Sequence, residues 1–205
     1  MHRRVVWGDA ASVGLLLGFS RLIDRFNGLI GRLVYWLILV SVIVSSGNAT
    51  VRYIFSRSSN GWLEIQWYLF SAVFLLGAGY TLLNNEHVRI DIIYGRLSPR
   101  GRAWIDLLGG LFFLLPMALI IMSLAWPMFL DSWIRNEYST DAGGLIRWPV
   151  KLLIPVGFFL LVLQGLSEII KRVAFLLGLI PEPGVRRAHG ELGEPMDTNT
   201  GGAAP

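Results

Sequence analysis

Asn84-Asn85-Glu86-His87-Val88-Arg89-Ile90-Asp91 carries four ionisable side chains in its last six positions: Glu86, His87, Arg89 and Asp91. The apolar runs on either side carry none. Residues 65–85 are 21 in a row without a charge, and residues 107–130 are 24. A helix needs about 20 apolar residues to cross the hydrocarbon core of a bilayer. The charged stretch is therefore read as the turn between two membrane spans. Further out, residues 33–51 give another 19 uncharged positions, between Arg32 and Arg52. Residues 152–167 give 16. That last run is lengthened by Lys151, which can snorkel, and by Glu168, which can pair with Lys171 or Arg172 one turn on. The fold class is all-α: an integral membrane protein with four transmembrane helices at about 33–51, 65–85, 104–130 and 149–172.

Composition agrees. The chain is 54% hydrophobic and 16% charged over 205 residues, against about 45–50% and about 25% in a soluble domain. The formal charge of +4 does not point to nucleic acid, because the basic residues sit at the ends of apolar runs rather than in one patch. The absence of cysteine excludes disulfides and thiolate chemistry.

Residues 1–32 read as a cytoplasmic N-terminus containing an amphipathic helix over about 12–27. Leu15, Phe19, Leu22, Ile23, Phe26 and Ile30 recur at spacings of one, three and four, with Arg21, Asp24, Arg25 and Arg32 opposite. Such a helix lies in the headgroup region with its basic face on lipid. Residues 33–177 form the membrane domain. Residues 178–205, rich in Pro, Gly and acid, read as a disordered cytoplasmic tail.

Within the first span, Ser41, Ser45 and Asn48 form a polar stripe. It either faces protein, or the serines bond back to their own helix while Asn48 reaches the headgroups. Trp62, Trp67 and Tyr68 open the second span as an aromatic belt. Ser98-Pro99 reads as a helix start. Pro116 and Pro127 are expected to kink the third span or end it early. Gly143-Gly144 is expected to make a turn before Trp148-Pro149. The glycine-bearing faces of the second and last spans are the expected partner contacts.

Thirteen of the eighteen Lys and Arg residues fall on one side of the four spans and five on the other. The positive-inside rule puts both termini and the central loop in the cytoplasm. Glu64, Glu86, Asp106, Asp131 and Glu168 all lie at span ends, where boundary charges are expected. Gln164 and Glu168 share a face, which suits a hydrogen bond to a neighbouring helix better than ion coupling. The spacing of Glu86, His87 and Asp91 matches no metal motif. No nucleotide loop, nucleophile elbow or zincin helix is present. No cofactor is expected and the chain is not read as an enzyme.

Several motifs carry a resemblance. They are Gly77-Ala78-Gly79-Tyr80, then His87-Val88-Arg89-Ile90-Asp91, then Ser98-Pro99-Arg100-Gly101-Arg102. Trp133, Glu137-Tyr138-Ser139 and Gly143-Gly144 before Trp148-Pro149 follow, then Pro155-Val156-Gly157-Phe158 and Leu163-Gln164-Gly165, with Glu64 opening the second span. Over about residues 29–178 the chain resembles the small membrane (permease) subunit of tripartite ATP-independent periplasmic (TRAP) transporters, the DctQ-like family.

The resemblance implies a bacterial inner-membrane subunit that scaffolds a large permease subunit. That permease would carry out sodium-coupled uptake of an organic acid or related small solute delivered by a periplasmic substrate-binding protein. It implies no substrate site on this chain. Glu64, His87, Arg89, Asp91, Gly143, Gly144, Gln164 and Glu168 are the structural or partner-interface candidates. The competing readings are a stand-alone oligomeric carrier or channel, with a lumen built from Ser41, Ser45, Asn48 and Gln164, and a membrane-bound assembly or sensor protein.

Overall fold

The computed structural model describes residues 7–56, 59–84 and 97–181, with side chains from residue 13 onward. The expectations for His87, Arg89 and Asp91, and for the tail beyond residue 181, fall outside the described residues.

The described residues form helices. α1 is Trp7–Phe55, α2 Asn60–Leu83 and α3 Pro99–Gly109. A π-helical turn over Gly110–Leu114 joins α3 to α4, Leu115–Ile134, and α5 is Trp148–Leu176. Four helical stretches are long and apolar enough to cross a membrane: Val13–Phe55, Asn60–Leu83, Pro99–Ile134 and Trp148–Leu176.

The amphipathic segment and the first span are one helix of 49 residues, about 73 Å long at 1.5 Å per residue. No proline interrupts it, and isolated glycines such as Gly28 and Gly31 do not stop a helix. The side of this segment that packs also differs from the expectation. Leu15, Phe19, Leu22 and Phe26 are exposed, while Ser20, Ile23, Asn27, Gly31 and Val34 form the buried stripe. In lipid an outward Leu or Phe costs nothing, whereas small and polar residues gain by facing another helix.

α1 runs antiparallel to α2, with Gly28 against Leu83, Gly31 against Tyr80 and Val34 against Gly77. A Cβ on Gly31 would overlap the Tyr80 ring, and Tyr80 in turn meets Tyr35 edge-on at 6.1 Å. α5 packs against both α2 and α1. A Cβ on Gly157 would sit 2.7 Å from the Leu75 carbonyl oxygen, and one on Gly79 3.3 Å from that of Leu160. Only glycine permits so close a backbone approach. α3 and α4 run antiparallel along α5. Leu115, Ala118, Leu161 and Val162 form the core there, backed by Ala78, Leu82, Leu114, Phe158 and Ile169. Gly165 makes room for Leu114 and Leu115. The glycines expected to meet a partner are thus spent on contacts within the chain.

The third span neither ends early nor breaks at Pro116. Proline removes one backbone donor and its ring crowds the carbonyl four residues back. The wider π turn immediately before it relieves that crowding,. The helix starts as expected: the Ser98 hydroxyl accepts from Gly101 N–H at 3.2 Å, with Pro99 in the first turn. α5 ends at Gly178, whose φ is +76°. Leu179 N–H donates to Ala174 O and Gly178 N–H to Phe175 O, both at 2.9 Å, which closes the helix end.

Candidate functional site

Two sets of polar side chains are organised by this packing, one at each end of the bundle. The first joins α1 to α5. On α1, Ser20, Asp24 and Asn27 lie at spacings of four and three and so share a face. On α5, Gln164, Ser167, Glu168 and Lys171 do the same. Asn27 Nδ2 donates to Gln164 Oε1 at 2.9 Å. Gln164 Nε2 donates to Asp24 Oδ1 at 2.9 Å and to Glu168 Oε1 at 3.2 Å. Ser167 Oγ donates to Asp24 Oδ1 at 2.7 Å and lies 2.7 Å from Ser20 Oγ. Lys171 Nζ bridges Asp24, at 3.1 Å, and Glu168. Ser20, Asn27, Gln164 and Ser167 are buried.

Next to this seam, Arg172 pairs with Asp106 of α3 at 3.1 Å. Glu168 therefore takes Lys171, and Arg172 serves a different helix. Among the described residues Asn27 Oδ1 accepts no hydrogen bond, and it lies against Gly79, where a Cβ would come within 2.7 Å of it. Glycine at 79 is what lets three helices meet around this amide.

The second set holds the loop between α4 and α5 onto the start of α2. Residues 137–147 fold back on themselves through Ser139 N–H to Leu145 O at 2.9 Å and Arg147 N–H to Glu137 O at 2.8 Å. Gly143 turns the chain with φ +75°, and Gly144 N–H closes the turn on Asp141 O at 3.0 Å. Glu64 engages this loop with both carboxylate oxygens. Oε2 accepts from Leu145 N–H at 2.6 Å, and Oε1 accepts from the Ser139 hydroxyl. Tyr68 OH donates to Ile146 O at 3.0 Å and Asn60 Nδ2 to Ala142 O at 3.1 Å. Gly144 leaves the space this needs, since a Cβ there would overlap Ser139 and reach Glu64. At the base of the loop Lys151 pairs with Glu137. Its ammonium, with Arg147 adding a smaller effect, holds the Glu137 carboxyl below its ordinary value,. Trp133 and Trp148 meet edge-on at 4.4 Å beneath it.

Of the residues singled out in the sequence, Glu64, Gly143 and Gly144 come together in this loop, and Gln164 and Glu168 come together in the α1–α5 seam. Ser20, Asp24 and Asn27 had not been singled out as a site. Their signal is the 20–24–27–31 spacing of small and polar residues, of which the sequence reading places only Asp24, on the headgroup-facing side. Ser41, Ser45 and Asn48 do not join Gln164 in a lumen: Gln164 is bonded to Asp24 and Asn27, toward the other end of α1. Among the described residues no group of three or more His, Cys, Asp and Glu side chains converges as a metal site would.

Residues 41–175, about two thirds of the chain, match the sequence model of a family described as "Tripartite ATP-independent periplasmic transporters, DctQ component". No curated protein and no solved structure matches the chain.

Proposed function

The chain belongs to the DctQ component family of the TRAP transporters, and on that premise we propose that it scaffolds a large permease subunit in a bacterial inner membrane. In this reading the permease, not this chain, takes up an organic acid or related small solute with sodium. A periplasmic substrate-binding protein delivers the solute. The family is a transporter component rather than an enzyme family, and the chain has four helices fit to cross a membrane.

The observation that carries the scaffold reading is the distribution of polarity. The buried polar side chains of the α1–α5 seam are bonded to one another at all but Asn27 Oδ1. The large apolar side chains of α1, the π-helical turn and α4, such as Trp36, Ile43, Phe112, Phe113 and Leu124, are exposed. A carrier of polar solutes needs polar groups facing a path through mid-membrane. A subunit that widens another in the bilayer needs a self-satisfied interior and an apolar exterior.

Both termini and the turn between the second and third spans are cytoplasmic in this reading, as the thirteen-to-five division of basic residues requires. In the same reading Arg89 and Asp91 anchor that turn through local ion pairs and headgroup contacts. Glu64, Gly143 and Gly144 shape the surface on the other side, and Gln164 and Glu168 hold α1 to α5.

The test is reconstitution. Proteoliposomes containing this chain alone should take up no solute. Those containing it with a large co-purifying membrane subunit and a binding protein should accumulate solute when a sodium gradient is imposed. Uptake by this chain alone would overturn the scaffold reading.

A further inference from the structure

Where α1 and α2 approach their connecting turn, they leave an open groove of about 590 Å3 lined by Ser45, Asn48, Ala49, Arg52, Tyr53 and Gln66. Its polar lining is made of groups that can all donate: a guanidinium, two amides and two hydroxyls. No carboxylate lines it. Two other grooves differ on this point. The one under the loop contains Glu64 and Asp141, and the one beside α3 contains Asp106 and Glu168. Among the described residues Arg52 has no ion pair, and the side chains of Ser45, Asn48 and Gln66 make no hydrogen bond.

The donors are graded in depth. Arg52 lies about 4.5 Å from the end of α1, Asn48 about 10 Å and Ser45 about 15 Å. A headgroup layer is about 5–7 Å thick, with hydrocarbon beneath it. Tyr53, Trp62 and Trp67 are exposed at this end of the bundle, as interfacial aromatics are. With the end of α1 at the outer edge of the headgroups, the cation sits at headgroup depth, Asn48 lies just past the hydrocarbon boundary and Ser45 lies deeper still.

We propose that this groove binds a phospholipid of the adjoining leaflet. Arg52 takes the phosphate diester in charge-assisted hydrogen bonds. Asn48 and Gln66 donate to the phosphate and to the glycerol ester carbonyls below it. The ligand's acceptors descend in the same order as the donors: anionic phosphate first, neutral esters next, alkyl chain last. A helix of another subunit would have to bring a carboxylate to Arg52, whereas the bilayer brings a phosphate to it wherever the protein resides. The site does not depend on the transport role.

The test is native mass spectrometry of the full chain in detergent, with phosphatidylglycerol added back after delipidation. The wild type is expected to retain one phospholipid. Arg52→Gln should weaken retention about tenfold, and Arg52→Lys should restore most of it. Arg135→Gln, at the same end of the bundle but paired with Asp131, should change nothing. Gln66→Leu should weaken retention less than Arg52→Gln, and it decides the matter if Arg52→Gln yields no folded protein. Three results would overturn the proposal: undiminished retention by these variants, thermal stabilisation by inorganic phosphate equal to that by phospholipid, or loss of a co-purifying protein subunit with the lipid count unchanged.

Discussion

Two polar stripes run along α1, and the chain treats them oppositely. The stripe Ser20–Asp24–Asn27 is bonded to α5 at nearly every polar atom, and Lys171 neutralises the carboxylates it meets. The stripe Ser41–Ser45–Asn48 makes no side-chain hydrogen bond among the described residues and lies half-exposed or exposed. Both have helical spacing and similar residue types. What separates them is the company they keep: the first meets a helix that carries matching groups, the second a groove open to the bilayer. In a membrane, polar residues at helical spacing report a contact without saying whether it lies inside the chain.

The contrast can be broken most strongly at Lys171. Lys171→Ala leaves the Asp24 and Glu168 carboxylates facing each other without their cation. The side chains of Lys171 and Asp24 are only 18% and 24% exposed, so the loss should be about 3 kcal/mol. Unfolding in mixed micelles would measure it. Adding Asp24→Asn and Glu168→Gln should recover much of the loss, as removing the whole charge cluster costs less than orphaning part of it. Next comes Gln164→Leu, which strips partners from Asn27, Asp24 and Glu168 together. About 1–2 kcal/mol is expected by the same measurement. Full stability in this variant would mean the seam is ornamental.

A smaller, local effect should follow from acid. Glu137 has its carboxyl depressed below 4.5, first by Lys151. A depressed carboxyl contributes stability that is fully present above its ordinary value and is lost as pH falls through the depressed one. Protection of residues 137–147 against hydrogen exchange, taken relative to the free-peptide rate at each pH, should therefore fall below about pH 4.5. That acid dependence should weaken in Glu137→Gln, the remainder coming from Glu64, whose carboxyl is lowered by the hydrogen bond from Leu145 N–H. The smallest effect belongs to the outer stripe. Ser41→Ala and Ser45→Ala should each change the stability of the isolated chain by under about 0.5 kcal/mol. A larger loss in micelles would show that this stripe has a partner within the chain and would erase the contrast.

The sequence made the four spans legible because hydropathy is a local property: each run of uncharged residues declares its own span. The Ser98 start and the Gly143-Gly144 turn were legible for the same reason, since capping and positive φ are decided within a few residues. The α1–α5 seam was not. Asp24 and Lys171 are 147 positions apart, and nothing near Asp24 signals that a cation awaits it. The apolar face of residues 15–26 misled because amphipathicity in lipid does not point inward. Gly79 and Gly157 were recognised as contact points, yet a glycine cannot indicate whether the backbone that approaches it belongs to its own chain. Here it does, through Leu160 and Leu75.

The π-helical turn before Pro116 has a consequence for helical phase. The residues through which the third span meets α5 include Asp106, Gly110, Leu114 and Ala118, spaced by four. In an unbroken α-helix three such steps rotate the contact line by about 120°, and Ala118 would face away from the helix that Asp106 faces. The wider turn over Gly110–Leu114 winds back part of that rotation, so one straight seam serves both ends,. Deleting a single residue within the turn would keep the seam in register, since eleven residues of regular α-helix fall only about 20° from three full turns, but it would set Pro116 against the carbonyl four residues back. The span tolerates its proline by the same irregularity that keeps it in register.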